Sequence, residues 1–147
     1  VIKENTEAAF LVSSNNYYLH TMTHQVRRLS LTYADLELHE QYVISTIKED
    51  QVLDKEQIEE MREIFYDHFG DRKWVYVSNR KNKYNVNPVI YIDLIQRKSL
   101  IGIAIVLRES DGALTANFEK QFATIPFEMF DNKSEALAWA NGILSQN

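Results

Sequence analysis

Leu29, Leu31 and Tyr33 alternate with polar neighbours, and the apolar phase then slips by one residue to Leu36 and Leu38. A period-2 pattern that slips marks a bulge or a break between two strand pieces. Residues 42–48 (YVISTIK) read as a second strand, joined across Glu40 and Gln41 by a connection short enough for a hairpin. Over residues 54–69 the period changes to that of a helix: Ile58, Met61, Phe65 and Phe69 form one stripe. Asp54 can cap its start, and Gly70 stands where a left-handed residue ends a helix. Lys55, Glu59, Glu60, Arg62 and Glu63 make its solvated face.

Residues 74–77 (WVYV) read as a buried third strand, followed by a polar loop and then Asn87-Pro88. Proline at a first helical position has its φ preset and no N–H to leave unpaired, and asparagine before it can cap the next free amides. The helix this predicts, over 88–96, is apolar on nearly every side (Val89, Ile90, Ile92, Leu94, Ile95), so it is buried. Residues 100–107 (LIGIAIVL) are continuously apolar, the mark of a central strand covered on both faces. Leu114, Phe118 and Phe122 lie at helical spacing and predict an inward stripe over 112–123. Residues 126–130 read as a fifth strand with Pro126 at its start, where no ladder amide is lost. Asn132-x-x-Glu135 has capping-box spacing and opens a last helix whose inward face is Ala136, Leu137, Ala140, Ile143 and Leu144.

The resulting order is ββαβαβαβα. Strands alternating with helices imply crossovers and a parallel sheet, here with an antiparallel member from the opening hairpin. The expected fold class is α/β: one domain with a mixed, mostly parallel sheet and helices packed on it. A chain of 147 residues with a 45% hydrophobic share can build one such core without staples. It has no cysteine, which excludes disulfides and thiolate chemistry and fits a reducing cytoplasm. The net charge of −5 argues against nucleic acid as a partner. No apolar run approaches a transmembrane segment. Residues 1–24 show neither signal-peptide order nor sustained periodicity; residues 1–28 are set apart as an N-terminal extension, the natural domain being expected to begin near Met22. The domain itself is drawn over 29–147.

The element order, with a buried helix after the third strand, resembles the SpoIIAA-like fold shared by STAS domains (bacterial anti-sigma factor antagonists) and SEC14-type lipid-binding domains. The chain is more closely similar to small uncharacterised STAS/SEC14-like proteins of Bacteroidetes. Those combine a V-Y-[IV]-S-N-R strand end, a Y-x-[VN]-[ND]-P helix opening, a G-I-A-I-V central strand and an F-E-K-Q-F helix. Here the four are residues 75–80, 84–88, 102–106 and 118–122. The resemblance implies a binding or regulatory module. STAS antagonists carry a phosphorylatable serine in a D-S-[SG]-G-type turn at the start of the helix after strand three. This chain has Val86-Asn87-Pro88-Val89 there, with no hydroxyl. Ser78 is the nearest candidate.

A polar loop at the carboxyl end of an α/β strand is where such folds place binding sites. The candidate binding residues are Ser78, Asn79, Arg80, Lys83, Tyr84 and Asn87, with Lys81, Asn82 and Asn85 in the same loop. Their cations and the amides at Pro88 could converge on a phosphate or carboxylate, although asparagine-rich loops also cap their own turns. No catalytic residues and no metal ligands are assigned. His20 and His24 are spaced like a helical metal pair but lack further ligands at motif distance. His68, near a helix C-terminus, is where the dipole favours a cation. There is no nucleophile elbow, no zinc spacing and, with four glycines, no nucleotide loop, so no cofactor is implied. The function expected is non-enzymatic: a module that contacts an unidentified protein near the loop after the third strand. The alternative is a carrier of a small anionic or apolar, lipid-like ligand.

Overall fold

The computed structural model describes residues 3–6, 25–87, 89, 98–107 and 113–146. The slip in apolar phase after Tyr33 is a break between strands. β2 (Arg27–Ser30) and β3 (Ala34–Leu38) form an antiparallel hairpin in which Leu29 faces Leu36. The Leu31 N–H donates to the Ala34 carbonyl at 2.8 Å to close the turn. β4 (Tyr42–Ile47) returns antiparallel to β3, as the short Glu40–Gln41 connection requires. β1 (Lys3–Thr6) pairs antiparallel with β2, Lys3 opposite Ser30, so the sheet takes in residues on both sides of the boundary drawn at residue 28.

α1 (Lys55–Phe69) is closed at both ends by the residues its sequence supplies. The Asp54 N–H donates to Gln57 Oε1 at 2.9 Å. Gly70, at φ 58°, donates its N–H to the Tyr66 carbonyl at 2.9 Å. β6 (Trp74–Arg80), β8 (Leu100–Leu107) and β9 (Phe127–Phe130) then add to β4 in parallel, giving the seven-strand order β1-β2-β3-β4-β6-β8-β9. Five of these strands run in one direction; β1 and β3 oppose them. β5 (Val52–Leu53) and β7 (Asn85–Val86) form a separate parallel pair. Each has only two residues, too few to show a period.

Alternation along β6 and β8 divides the interior into two cores. Tyr76, Ile103 and Ile105 meet Ile58, Met61, Phe65 and Phe69 of α1 on one face. Val75, Val77, Ala104 and Val106 meet Ala136 and Ala140 of α3 (Lys133–Gln146) on the other. β8 therefore has dry faces on both sides, as its unbroken apolar run requires. At Gly102 a Cβ would lie 3.2 Å from the Trp139 ring, so the missing side chain lets α3 sit close. The Glu135 N–H donates to Asn132 Oδ1 at 2.9 Å and caps α3.

One helix faces the other way from its sequence pattern. α2 (Ala113–Lys120) buries Ala116 and Glu119, while Phe118 is 46% and Phe122 39% exposed. Phe118 and Phe122, expected on the inward stripe, thus face outward, and Glu119 turns in to meet a buried cation. The helix predicted over 88–96, with Asp93, lies outside the described residues except for Val89, which is exposed. Among the described residues no helix is long and apolar enough to cross a membrane.

Candidate functional site

β6 carries the first three candidate residues, and its pleat sends them to different places. Successive side chains of a strand point to opposite faces. Ser78 and Arg80 share the α1 face with Tyr76; Asn79 emerges on the α3 face, where its Nδ2 donates to Thr46 Oγ1 at 3.3 Å. Ser78 is 2% exposed and its hydroxyl accepts from Arg80 Nε at 3.1 Å. Arg80, its side chain 10% exposed, donates through Nη2 to Oε2 of the fully buried Glu119 at 2.5 Å. A desolvated carboxylate needs such a partner to stay charged. The other oxygen, Glu119 Oε1, has no hydrogen-bond partner among the described residues, and neither has the buried Ser45 Oγ. Ser45 stands opposite Ser78 in the β4–β6 register. A buried polar row thus underlies the carboxyl ends of β4 and β6.

Beyond Arg80 the loop is tied down by its own asparagines and backbone. Asn82 Nδ2 donates to the Ile47 carbonyl at 2.9 Å. The Asp50 N–H donates to the Lys83 carbonyl at 2.8 Å, and the Asn85 N–H to the Gln51 carbonyl at 2.9 Å, continuing into the β5–β7 pair. Tyr84 packs against the α1-side core. Asn87 Oδ1 accepts the Val89 N–H at 3.0 Å, the capping role its place before Pro88 predicts. The six candidate residues therefore do not converge. Ser78, Arg80 and Tyr84 turn inward, Asn79 crosses to the other face, and Lys83 and Asn87 remain outside. The anion cradle expected from Arg80 and the amides at Pro88 has lost its guanidinium to Glu119. Burial likewise keeps Ser78 from serving as an accessible phosphoacceptor.

The outward groups are Lys81 and Lys83, neither of which forms an ion pair among the described residues. On the α3 face, Asn79 and Lys81 open onto a groove of about 440 Å³ that Arg28, Glu37, Thr46 and Lys133 also line. α3 covers β6, β8 and β9, and among the described residues no helix covers β2 and β3 on this side. Arg28 of β2 pairs with Glu37 of β3 at 3.8 Å, and Lys48, just past β4, pairs with Asp35 of β3 at 3.9 Å.

The histidines sit elsewhere. His68 Nε2 donates to the His39 carbonyl at 2.7 Å, and its Nδ1 faces Arg27 Nη1 at 3.4 Å. Burial lowers its pKa, and the charges of Arg27 and Arg72 lower it further, outweighing the bond to the His39 carbonyl. The cation expected from the helix dipole is thus disfavoured. His20 and His24 lie outside the described residues. Among the described residues no three His, Asp or Glu side chains are grouped to hold a metal ion.

No family model matches the chain, and no curated protein matches it. Among solved structures, an uncharacterised DUF3478-family protein from Shewanella loihica PV-4, described as having a SpoIIAA-like fold, is similar with a TM-score of 0.54. The two are 17% identical, and the match covers 76% of this chain and 97% of the other. At that identity the likeness bears on the fold, where it agrees with the mixed sheet and its two helical layers. The chain has a SpoIIAA-like α/β fold.

Proposed function

We propose that this chain is a non-enzymatic binding or regulatory module that acts in the cytoplasm through protein–protein contacts at the loop following β6. The observation that carries this reading is the division of labour among neighbouring cations. Arg80 is spent inward on Glu119, whereas Lys81 and Lys83 project from a backbone-fixed loop and form no ion pair among the described residues. A rigid loop loses little conformational freedom on binding, so its contacts are retained as affinity. Two exposed lysines favour an acidic surface on the partner. Control by phosphorylation at the STAS position does not form part of this reading, since that position has no hydroxyl and Ser78 is buried.

Affinity enrichment from an extract of the source cells, with wild-type and Lys81→Glu/Lys83→Glu baits, identifies the partner. Titration of the purified partner with each purified bait then tests the surface. The charge-reversed bait is expected to fold like the parent and to bind at least about tenfold more weakly. Equal affinity for both baits would remove the loop from the interface.

A further inference from the structure

At the opposite end of β6 from that loop lies a groove of about 480 Å³. Three elements build it. Arg62, Phe65 and Tyr66 come from α1 at i, i+3 and i+4 spacing, Lys73 and Trp74 from the start of β6, and Lys98 and Ser99 from the approach to β8. The floor is aromatic: Phe65 and Trp74 are tilted rings with centroids 5.2 Å apart, and the Trp74 indole N–H donates to Ser99 Oγ at 3.2 Å. One wall is the Tyr66 ring, which is 65% exposed. Its size falls in the range of small-molecule sites, which pair apolar walls with a few polar groups.

The charges around it are unbalanced. Arg62, Lys73 and Lys98 face the groove and make no ion pair among the described residues, and Asp71 is the one carboxylate among the described lining residues. Three cations against one carboxylate among the described lining residues run counter to the chain's net charge of −5. Glu63 and Asp67 lie in an adjoining recess shared with Arg62 and Tyr66, which leaves Lys73 and Lys98 as the lining cations outside that recess. The end of α1 would ordinarily repel an anion through its free carbonyls. Here Arg72 donates to the carbonyls of His68 and Phe69, and Gly70 to that of Tyr66, which masks them.

We propose that this groove binds a small planar aromatic carboxylate, with its ring against Tyr66 and Trp74 and its anionic end held by Lys73 and Lys98. The site is separate from the loop after β6 and stands whether or not that loop meets a protein. An aromatic ring matches the flat Tyr66 wall and gains ring contacts in addition to buried area. The two lysines make the site selective for charge more than for shape.

The test uses 2-naphthoate as probe, with neutral 2-naphthamide and the aliphatic anion dodecanoate as comparisons. The chain has two tryptophans, and Trp139 packs in the core on the other sheet face. Their indole N–H signals in a proton–nitrogen NMR spectrum therefore report the groove and a remote control. Naphthoate is expected to shift the Trp74 signal saturably and leave Trp139 in place, binding about tenfold more tightly than the amide, the scale of two exposed charge contacts. Lys73→Ala/Lys98→Ala should abolish that preference, and Tyr66→Ala should weaken naphthoate and amide alike. All three positions are exposed, so the variants should keep the fold. No saturable Trp74 shift at millimolar naphthoate, or equal binding of acid and amide, would overturn the proposal. Tighter binding of dodecanoate than naphthoate would overturn the aromatic assignment and point to an acyl chain.

Discussion

Arg80 and Glu119, separated by 39 residues, form a buried ion pair that ties the end of β6 to α2. It fixes which side of α2 faces the sheet, and it removes Arg80 from the surface on which a binding residue would act. A buried pair adds little net stability over an apolar replacement, but losing one member strands the other without a partner. Arg80→Ala should therefore cost about 3–5 kcal/mol. Arg80→Met/Glu119→Met should recover most of that, because neither charge remains. Urea unfolding of the single and double variants measures the coupling. A loss below about 1 kcal/mol in the single variant would mean that Glu119 finds another partner or water once Arg80 is gone.

Ile105 and Thr46 test the interior position of β8. Ile105 is fully buried on the α1 face and stands between neighbouring strands β6 and β9. An aspartate there would be an unpaired charge in a dry layer, so Ile105→Asp should cost several kcal/mol or hold the new carboxyl protonated. Thr46 is half-buried beside the open groove on the α3 face, where an added carboxylate keeps its water. Thr46→Asp should cost less than about 1.5 kcal/mol. Comparable unfolding midpoints for the two variants would contradict the burial of β8.

How far the sequence discloses the molecule depends on how local each cause is. α1 is legible because its stripe, its N-cap at Asp54 and its terminal Gly70 all lie within seventeen positions of one another. β8 is legible because dryness on both faces leaves an unbroken apolar run. α2 is misread for the converse reason. Phe118 and Phe122 look like core residues and Glu119 like surface, and only a cation on a distant strand reverses the order. The candidate site blurs through a boundary. Reading the third strand as ending at Val77 makes Ser78, Asn79 and Arg80 loop residues. β6 in fact continues to Arg80, and its alternation then sorts them between two faces. Lys83 and Asn87, past that end, are the candidates that stay outside.

His68 should make stability depend on pH in the sense opposite to a dipole-stabilised cation. Its Nε2–H donates to the His39 carbonyl, which leaves Nδ1 as an acceptor facing the Arg27 guanidinium. Protonating Nδ1 would turn that contact into a repulsion inside a half-buried site. Burial, then the positive charges of Arg27 and Arg72, accordingly hold the folded-state pKa below the ordinary 6.5. In the window beneath 6.5 the unfolded chain binds a proton that the folded one refuses. Stability contributed by neutral His68 is therefore complete above that value and is lost as pH falls through the window. His68→Gln retains an N–H donor for the His39 carbonyl but cannot take a proton. The measurement is the change in urea unfolding free energy between about pH 7.5 and about pH 5.5 for parent and variant, other titrating groups being common to both. The parent should lose more on acidification than the variant, whatever their absolute stabilities. If the parent instead gained relative to His68→Gln, the α1 dipole would outweigh burial and the two arginines, and His68 would be the cation that its place at a helix end suggests.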